Sequence, residues 1–91
     1  MTERQIYKQA IEKWGTDAQI LMVFEEMSEL QKELCKNWRG KNNVEQIAEE
    51  VADVEIVLAQ LKMIYGISGT VRQLREEKLM RLEQRLKDVQ P

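Results

Sequence analysis

Apolar residues recur every three to four positions in four runs along the chain, each opened by a residue that can cap a helix and set apart by glycine or asparagine. The first run is Ile6, Tyr7, Ala10, Ile11 and Trp14. Thr2 precedes it with Gln5 three residues on, the pattern of a capping box, and Gly15 ends it. Thr16 and Gln19 repeat the start signal for a second helix reaching about Asn37, with Ile20, Val23, Phe24, Met27, Leu30, Leu34 and Trp38 on its stripe. The stretch from Asn37 to Asn43 breaks the period with Gly40 and three asparagines and reads as a loop. A third helix starts at Asn43 as N-cap, with Gln46 three residues on, and ends near Gly66. Its apolar face is Ile47, Val51, Val54, Val57, Leu58, Leu61, Ile64 and Tyr65. After Gly66-Ile67-Ser68-Gly69, Thr70 and Gln73 cap a fourth helix whose stripe is Leu74, Leu79, Leu82, Leu86 and Val89, with Pro91 closing the chain. No stretch alternates like a strand. The expected fold is therefore all-α: one domain over residues 1–91, an antiparallel four-helix bundle with helices two and three as a central acidic hairpin.

Two acidic pairs interrupt the apolar pattern of those central helices. Glu26 and Glu29 stand three apart on the second, Glu50 and Asp53 three apart on the third, so each pair presents two carboxylates on one helix face. At about 100° per residue, Glu26 and Glu29 fall at the stripe border beside Met22 and Leu30. Glu50 falls inside the stripe between Val57 and Leu61, and Asp53 at its edge beside Ile64. Desolvating an unpaired carboxylate costs roughly several kcal/mol, so such a group is paired, protonated or bound to metal. Lys32, Lys36 and Lys62 project elsewhere, which leaves a divalent cation as the simplest partner.

Composition narrows the chemistry. The chain has one cysteine, Cys35, and no histidine, which excludes an internal disulfide, a cysteine zinc cluster, Ser-His-Asp or Cys-His catalysis and the Glu-x-x-His pairs of di-iron bundles. Four carboxylates make an all-oxygen site suited to Mg²⁺ or Mn²⁺. Metal-assisted attack of water on a phosphoanhydride is the reaction such a site serves most directly, with Glu25 or Glu49 available as base for the water. The net charge is −2, but acids crowd the middle of the chain and bases the end, where Lys78, Arg81 and Arg85 line one helix face. Spread bases, few aromatics and an acidic middle argue against a nucleic-acid polymer as partner. Without a signal-peptide pattern or an apolar run of membrane-spanning length, the expectation is a cytoplasmic protein with no membrane partner. A chain of 91 residues is near the lower size limit for folding alone, so self-association is also expected.

The sequence Glu25-Glu26-Met27-Ser28-Glu29-Leu30, followed after a loop by Glu49-Glu50-Val51-Ala52-Asp53-Val54, resembles the signature of the MazG-like all-α nucleotide pyrophosphohydrolases, and Lys78-Leu79-Met80-Arg81 is similar to a basic pair that many members carry. The likeness runs from about Thr16 to Arg85 and is strongest to short single-domain versions from bacteria and phages. It implies that Glu26, Glu29, Glu50 and Asp53 bind Mg²⁺ and that Lys78 and Arg81 hold phosphate oxygens. It further implies cleavage of a nucleoside triphosphate between the α and β phosphates, giving the monophosphate and pyrophosphate. A house-cleaning role on a deoxyribonucleotide or modified nucleotide follows, in a homodimer or homotetramer whose sites can borrow residues from a neighbouring subunit. Trp38 and Asn42 are candidates for the base, as is Trp14. The histidine of the related phosphoribosyl-ATP enzymes is missing. The competing expectation is a non-catalytic helical module that assembles with itself or sequesters a nucleotide.

Overall fold

The computed structural model describes residues 1–88; Val89, placed above on the fourth apolar stripe, and Pro91 lie outside them. The described residues form α1 (Glu3–Trp14), α2 (Thr16–Trp38), α3 (Val44–Tyr65) and α4 (Ser68–Asp88), with no strand. The all-α class and the four helices agree with the periodicity. The Thr2 capping box forms in full: Gln5 N–H donates to Thr2 Oγ1 at 3.1 Å and Thr2 N–H to Gln5 Oε1 at 2.8 Å.

The other starts are built differently. Gly15, at φ +91°, both ends α1 and caps α2, so Thr16 is the first residue inside the helix and caps nothing. A positive φ joins the two helices without a longer loop, which explains a glycine there. Gly66 closes α3 in the left-handed conformation, with its N–H on Met63 O and that of Ile67 on Lys62 O. α4 then begins at Ser68, before the expected Thr70.

α2 and α3 form the main packed pair, and α1 lies against both. The seam between them follows the 3-4 alternation of a coiled coil. On α2 it runs Gln19, Val23, Glu26, Leu30, Glu33; on α3 it runs Ile47, Glu50, Val54, Val57, Leu61, Ile64. All of these are buried or half-buried, yet Val23 and Val57 are the only apolar residues that count as buried among the described residues. Phe24, Met27, Leu34 and Trp38, which the periodicity puts on the same apolar stripe, are exposed instead, Phe24 by 67% and Trp38 by 90%. On α3 the row Val44, Val51, Leu58, Tyr65, seven residues apart, is exposed as well. Each helix thus has an inner seam and a second apolar row that one chain leaves uncovered.

α4 touches α3 alone, and the axis turns by 118° between them. The radius of gyration is 16.8 Å; a compact domain of this length has about 12 Å. No single helix among the described residues is long and apolar enough to cross a membrane.

Candidate metal centre

Three carboxylates meet at the centre of the α2–α3 seam. Glu26 comes from α2, Glu50 and Asp53 from α3, and one oxygen of each lies within 4.8 Å of the others. Seam spacing allows this: Glu26 stands one seam step after Val23 on α2 and Glu50 one step before Val54 on α3, so the acids occupy the same packed rows as the valines. Glu26 and Glu50 are half-buried, while Asp53 is exposed at the rim. Glu29 stands one turn further along α2, exposed and outside the three, though its charge acts on Glu50. Glu25 and Glu49 are exposed neighbours whose charges act on Glu26 and Glu50 respectively.

The cluster lacks a compensating charge. Among the described residues the ion pairs are Lys36–Glu33 and Lys87–Glu83, so none of the six acids has a basic partner within 4.0 Å. Glu50 Oε2 is buried and accepts no hydrogen bond. Burial first, then the carboxylates of Asp53, Glu29, Glu33 and Glu49, hold the Glu50 carboxyl above its ordinary range. Burial first, then repulsion from Asp53, a shared hydrogen bond with it and the charges of Glu50 and Glu25, do the same to Glu26. A set of oxygens that repel one another, one of them buried with no donor, has the donor chemistry of a hard divalent cation site.

A second carboxylate shows what a satisfied acid looks like here. Glu33 is 8% exposed, and its carboxyl is held below the ordinary range, chiefly by a hydrogen bond from Asn43 and then one from Lys36. Asn43, 1% exposed, occupies the expected N-cap position of α3, but its side chain does not cap the helix. Its amide reaches back to α2 and donates to Glu33 O at 2.9 Å and Oε1 at 3.1 Å, while Asn37 Nδ2 donates to Asn43 Oδ1 at 3.2 Å. Asn37, in the last turn of α2 rather than in the loop, and Asn43, just before α3, therefore clamp the two acidic helices together at one end.

Beside the carboxylates opens a groove of about 560 Å³, lined by Trp14, Gln19, Met22, Ile56 and Gln60 and sharing Glu26 and Asp53 with the cluster. Gln19 and Gln60 were not anticipated as site residues. Their signal was the same as that of Glu50: Gln60 falls between Val57 and Ile64 in an apolar stripe, and Gln19 four residues before Val23. Trp38 and Asn42, candidates for the base by sequence, are not among the residues that line this groove. Trp38 is twelve residues beyond Glu26, about 18 Å along the helix, beside a different groove with Leu34, Cys35, Asn37 and Arg39. Lys78 and Arg81 line a groove of their own on α4, together with Arg85, and share no residue with the acidic one.

The upward shifts of Glu26 and Glu50 fix how pH should act. The native state binds protons at these groups more tightly than the unfolded chain, so their effect on stability turns unfavourable as pH rises above the ordinary carboxylate value of 4.5 through the raised ones. A cation held by these oxygens would need the cluster deprotonated. Any rise in Tm that Mg²⁺ produces through this cluster is therefore expected to be largest near about pH 7.5 and to vanish toward about pH 4.5. Thermal melts with Mg²⁺ and with chelator across that range check this; a shift independent of pH would place the cation elsewhere.

The fold and the cluster define an all-α protein with a carboxylate-only site between two packed helices. No protein-family model, curated protein or solved structure matches the chain.

Proposed function

We propose that the chain is a Mg²⁺-dependent nucleoside triphosphate pyrophosphohydrolase of the MazG-like kind, its central helices forming an antiparallel acidic hairpin. The observation that carries the reading is the buried, unpartnered Oε2 of Glu50, set within a cluster that no basic residue neutralises. Glu26, Glu50 and Asp53 would hold the cation, with Glu29, one turn away on α2, as the fourth ligand; Mn²⁺ suits the same oxygens. A cation bound there neutralises phosphate charge and lowers the pKa of water. Glu25 and Glu49, solvated and beside the cluster, are the residues that can accept a proton from the attacking water. The products would be the nucleoside monophosphate and pyrophosphate, a house-cleaning reaction suited to a deoxyribonucleotide or a modified nucleotide.

The protein would act as an assembly of identical chains, at minimum a homodimer. A compact monomer of 10.8 kDa exposes about 5,500 Å², whereas this chain exposes 7654 Å². The excess of about 2,100 Å² per chain is what an obligate dimer removes from water. The uncovered rows on α2 and α3 and the apolar face of α4 are where it lies. Lys78 and Arg81, remote from the acids on the α4 arm, would meet phosphate at the site of a second copy.

Pyrophosphate release from a panel of ribo-, deoxyribo- and modified nucleoside triphosphates, with Mg²⁺, with Mn²⁺ and with chelator, tests the reaction. Cation-dependent release of pyrophosphate from at least one substrate is expected. Release of orthophosphate instead would overturn the cleavage position, and binding without release would make the chain a nucleotide-sequestering module.

A further inference from the structure

The groove beside the carboxylates has features that cation binding does not require. Gln19 and Gln60 come from opposite helices, each is only 7% exposed, and both line it. Neither side-chain amide forms a hydrogen bond among the described residues, although the same structure finds partners for the buried Asn43 and Glu33. A glutamine amide offers two donors and two acceptor lone pairs, and the amide atoms of both, unlike Glu50 Oε2, keep contact with solvent although each residue is so little exposed, which leaves them open on the groove they line. Around the amides the walls are apolar: Met22, Ile56 and Val57. At the mouth stands Trp14, 59% exposed, placed by the Gly15 turn, with the Lys13 ammonium 5.3 Å from its ring centroid.

We propose that this groove is a nucleobase site in which Gln19 and Gln60 read the donor and acceptor edge of the ring and Trp14 stacks on its face. Apolar walls take up a planar heterocycle, two inward amides supply the directional bonds that such a ring needs, and an indole at the rim gives a stacking partner. The occupant is a nucleotide rather than another aromatic molecule because the groove shares Glu26 and Asp53 with the cation cluster. One ligand must then carry a heterocycle and, a few bonds away, oxygens that a cation can bridge to carboxylates. This rests on the hydrolase reading for its phosphate half and on the two amides for its base half. It assigns base choice to Gln19 and Gln60 and leaves Trp38 without a part in it.

The chain has two tryptophans, so Trp14 and Trp38 can be read separately. In the Trp38→Phe protein with Mg²⁺, the remaining emission is expected to be quenched saturably by at least one nucleoside monophosphate and unaffected by ribose 5-phosphate. In the Trp14→Phe protein neither is expected to act. Gln19→Met and Gln60→Met, which keep length and helix propensity, should each raise KM for the best triphosphate about tenfold, with kcat and the Mg²⁺ rise in Tm retained. Quenching confined to Trp38, an equal response to ribose 5-phosphate, or unchanged KM in both glutamine variants would overturn the base site. Quenching of Trp14 without pyrophosphate release from any triphosphate would sink the hydrolase and uphold the groove. Release with a KM indifferent to both glutamines would do the reverse.

Discussion

Glu50→Gln is expected to reduce pyrophosphate release by about a hundred- to a thousandfold while raising the melting temperature of the metal-free protein. The two effects have one origin. Gln keeps the volume and the helix but removes the charge whose buried oxygen has no donor, so the chain loses a repulsion it carries without cation. It also loses the oxygen that, under the proposed reading, would hold the cation from α3, and removal of a single group aimed at developing charge costs about that much in rate. Cation binding to the wild type at a hundred times its Kd adds about 2.7 kcal/mol, which in a domain of this size moves Tm by about 10–20 °C. In Glu50→Gln that rise should collapse. Calorimetry with Mg²⁺ and with chelator, beside the pyrophosphate assay, reads all three effects. Should Mg²⁺ still stabilise the variant as it does the wild type, the cation binds elsewhere, and a fall in metal-free Tm would show that Glu50 serves the fold.

The anomaly at Glu50 was legible because it needs only the period of one helix. Projecting α3 places an acid between Val57 and Leu61, and the structure leaves that acid short of a donor. The core of α2 was not legible by the same means. Its apolar residues cover a broad arc, and period alone cannot say which part of the arc faces α3 and which a neighbour outside the chain. Val23 and Leu30 face in while Phe24, Met27 and Leu34 face out, because the packed seam takes Gln19, Glu26 and Glu33 as its polar members. Asn43 was placed correctly as the residue before α3, yet its bond to Glu33 depends on tertiary approach, which N-cap preference does not encode. α4 departs furthest from the expected bundle. Its stripe promised an inward face, and the 118° turn at Gly66 carries it away from α1 and α2. An amphipathic pattern states that a face will be covered without stating by which chain.

That distinction yields the second large effect. Phe24 is 67% and Leu79 58% exposed, and in a monomer a polar substitution at either would change stability by less than about 0.5 kcal/mol. If these rows pack against a second copy, Phe24→Asp and Leu79→Glu should each cost at least about 2 kcal/mol of assembly. Sedimentation equilibrium should then show the wild type at twice the chain mass or a higher multiple and the variants shifted toward 10.8 kDa. The wild-type midpoint in urea should rise with protein concentration, as it must when folding and association are linked. A monomeric wild type with a concentration-independent midpoint would end the assembly reading and leave the α4 face unexplained. Function follows the same logic, because Lys78 and Arg81 sit on α4 apart from the acids of their own chain. Arg81→Ala and Glu50→Gln are each expected to be inactive alone. Unfolded together and refolded as a mixture, they should recover about one quarter of wild-type activity, since half of the randomly paired dimers are hybrids with one intact site of two. No recovery, with hybrids confirmed by mass, would mean that Arg81 and Glu50 serve a site within a single chain, and an Arg81→Ala protein active by itself would mean that Arg81 takes no part in it.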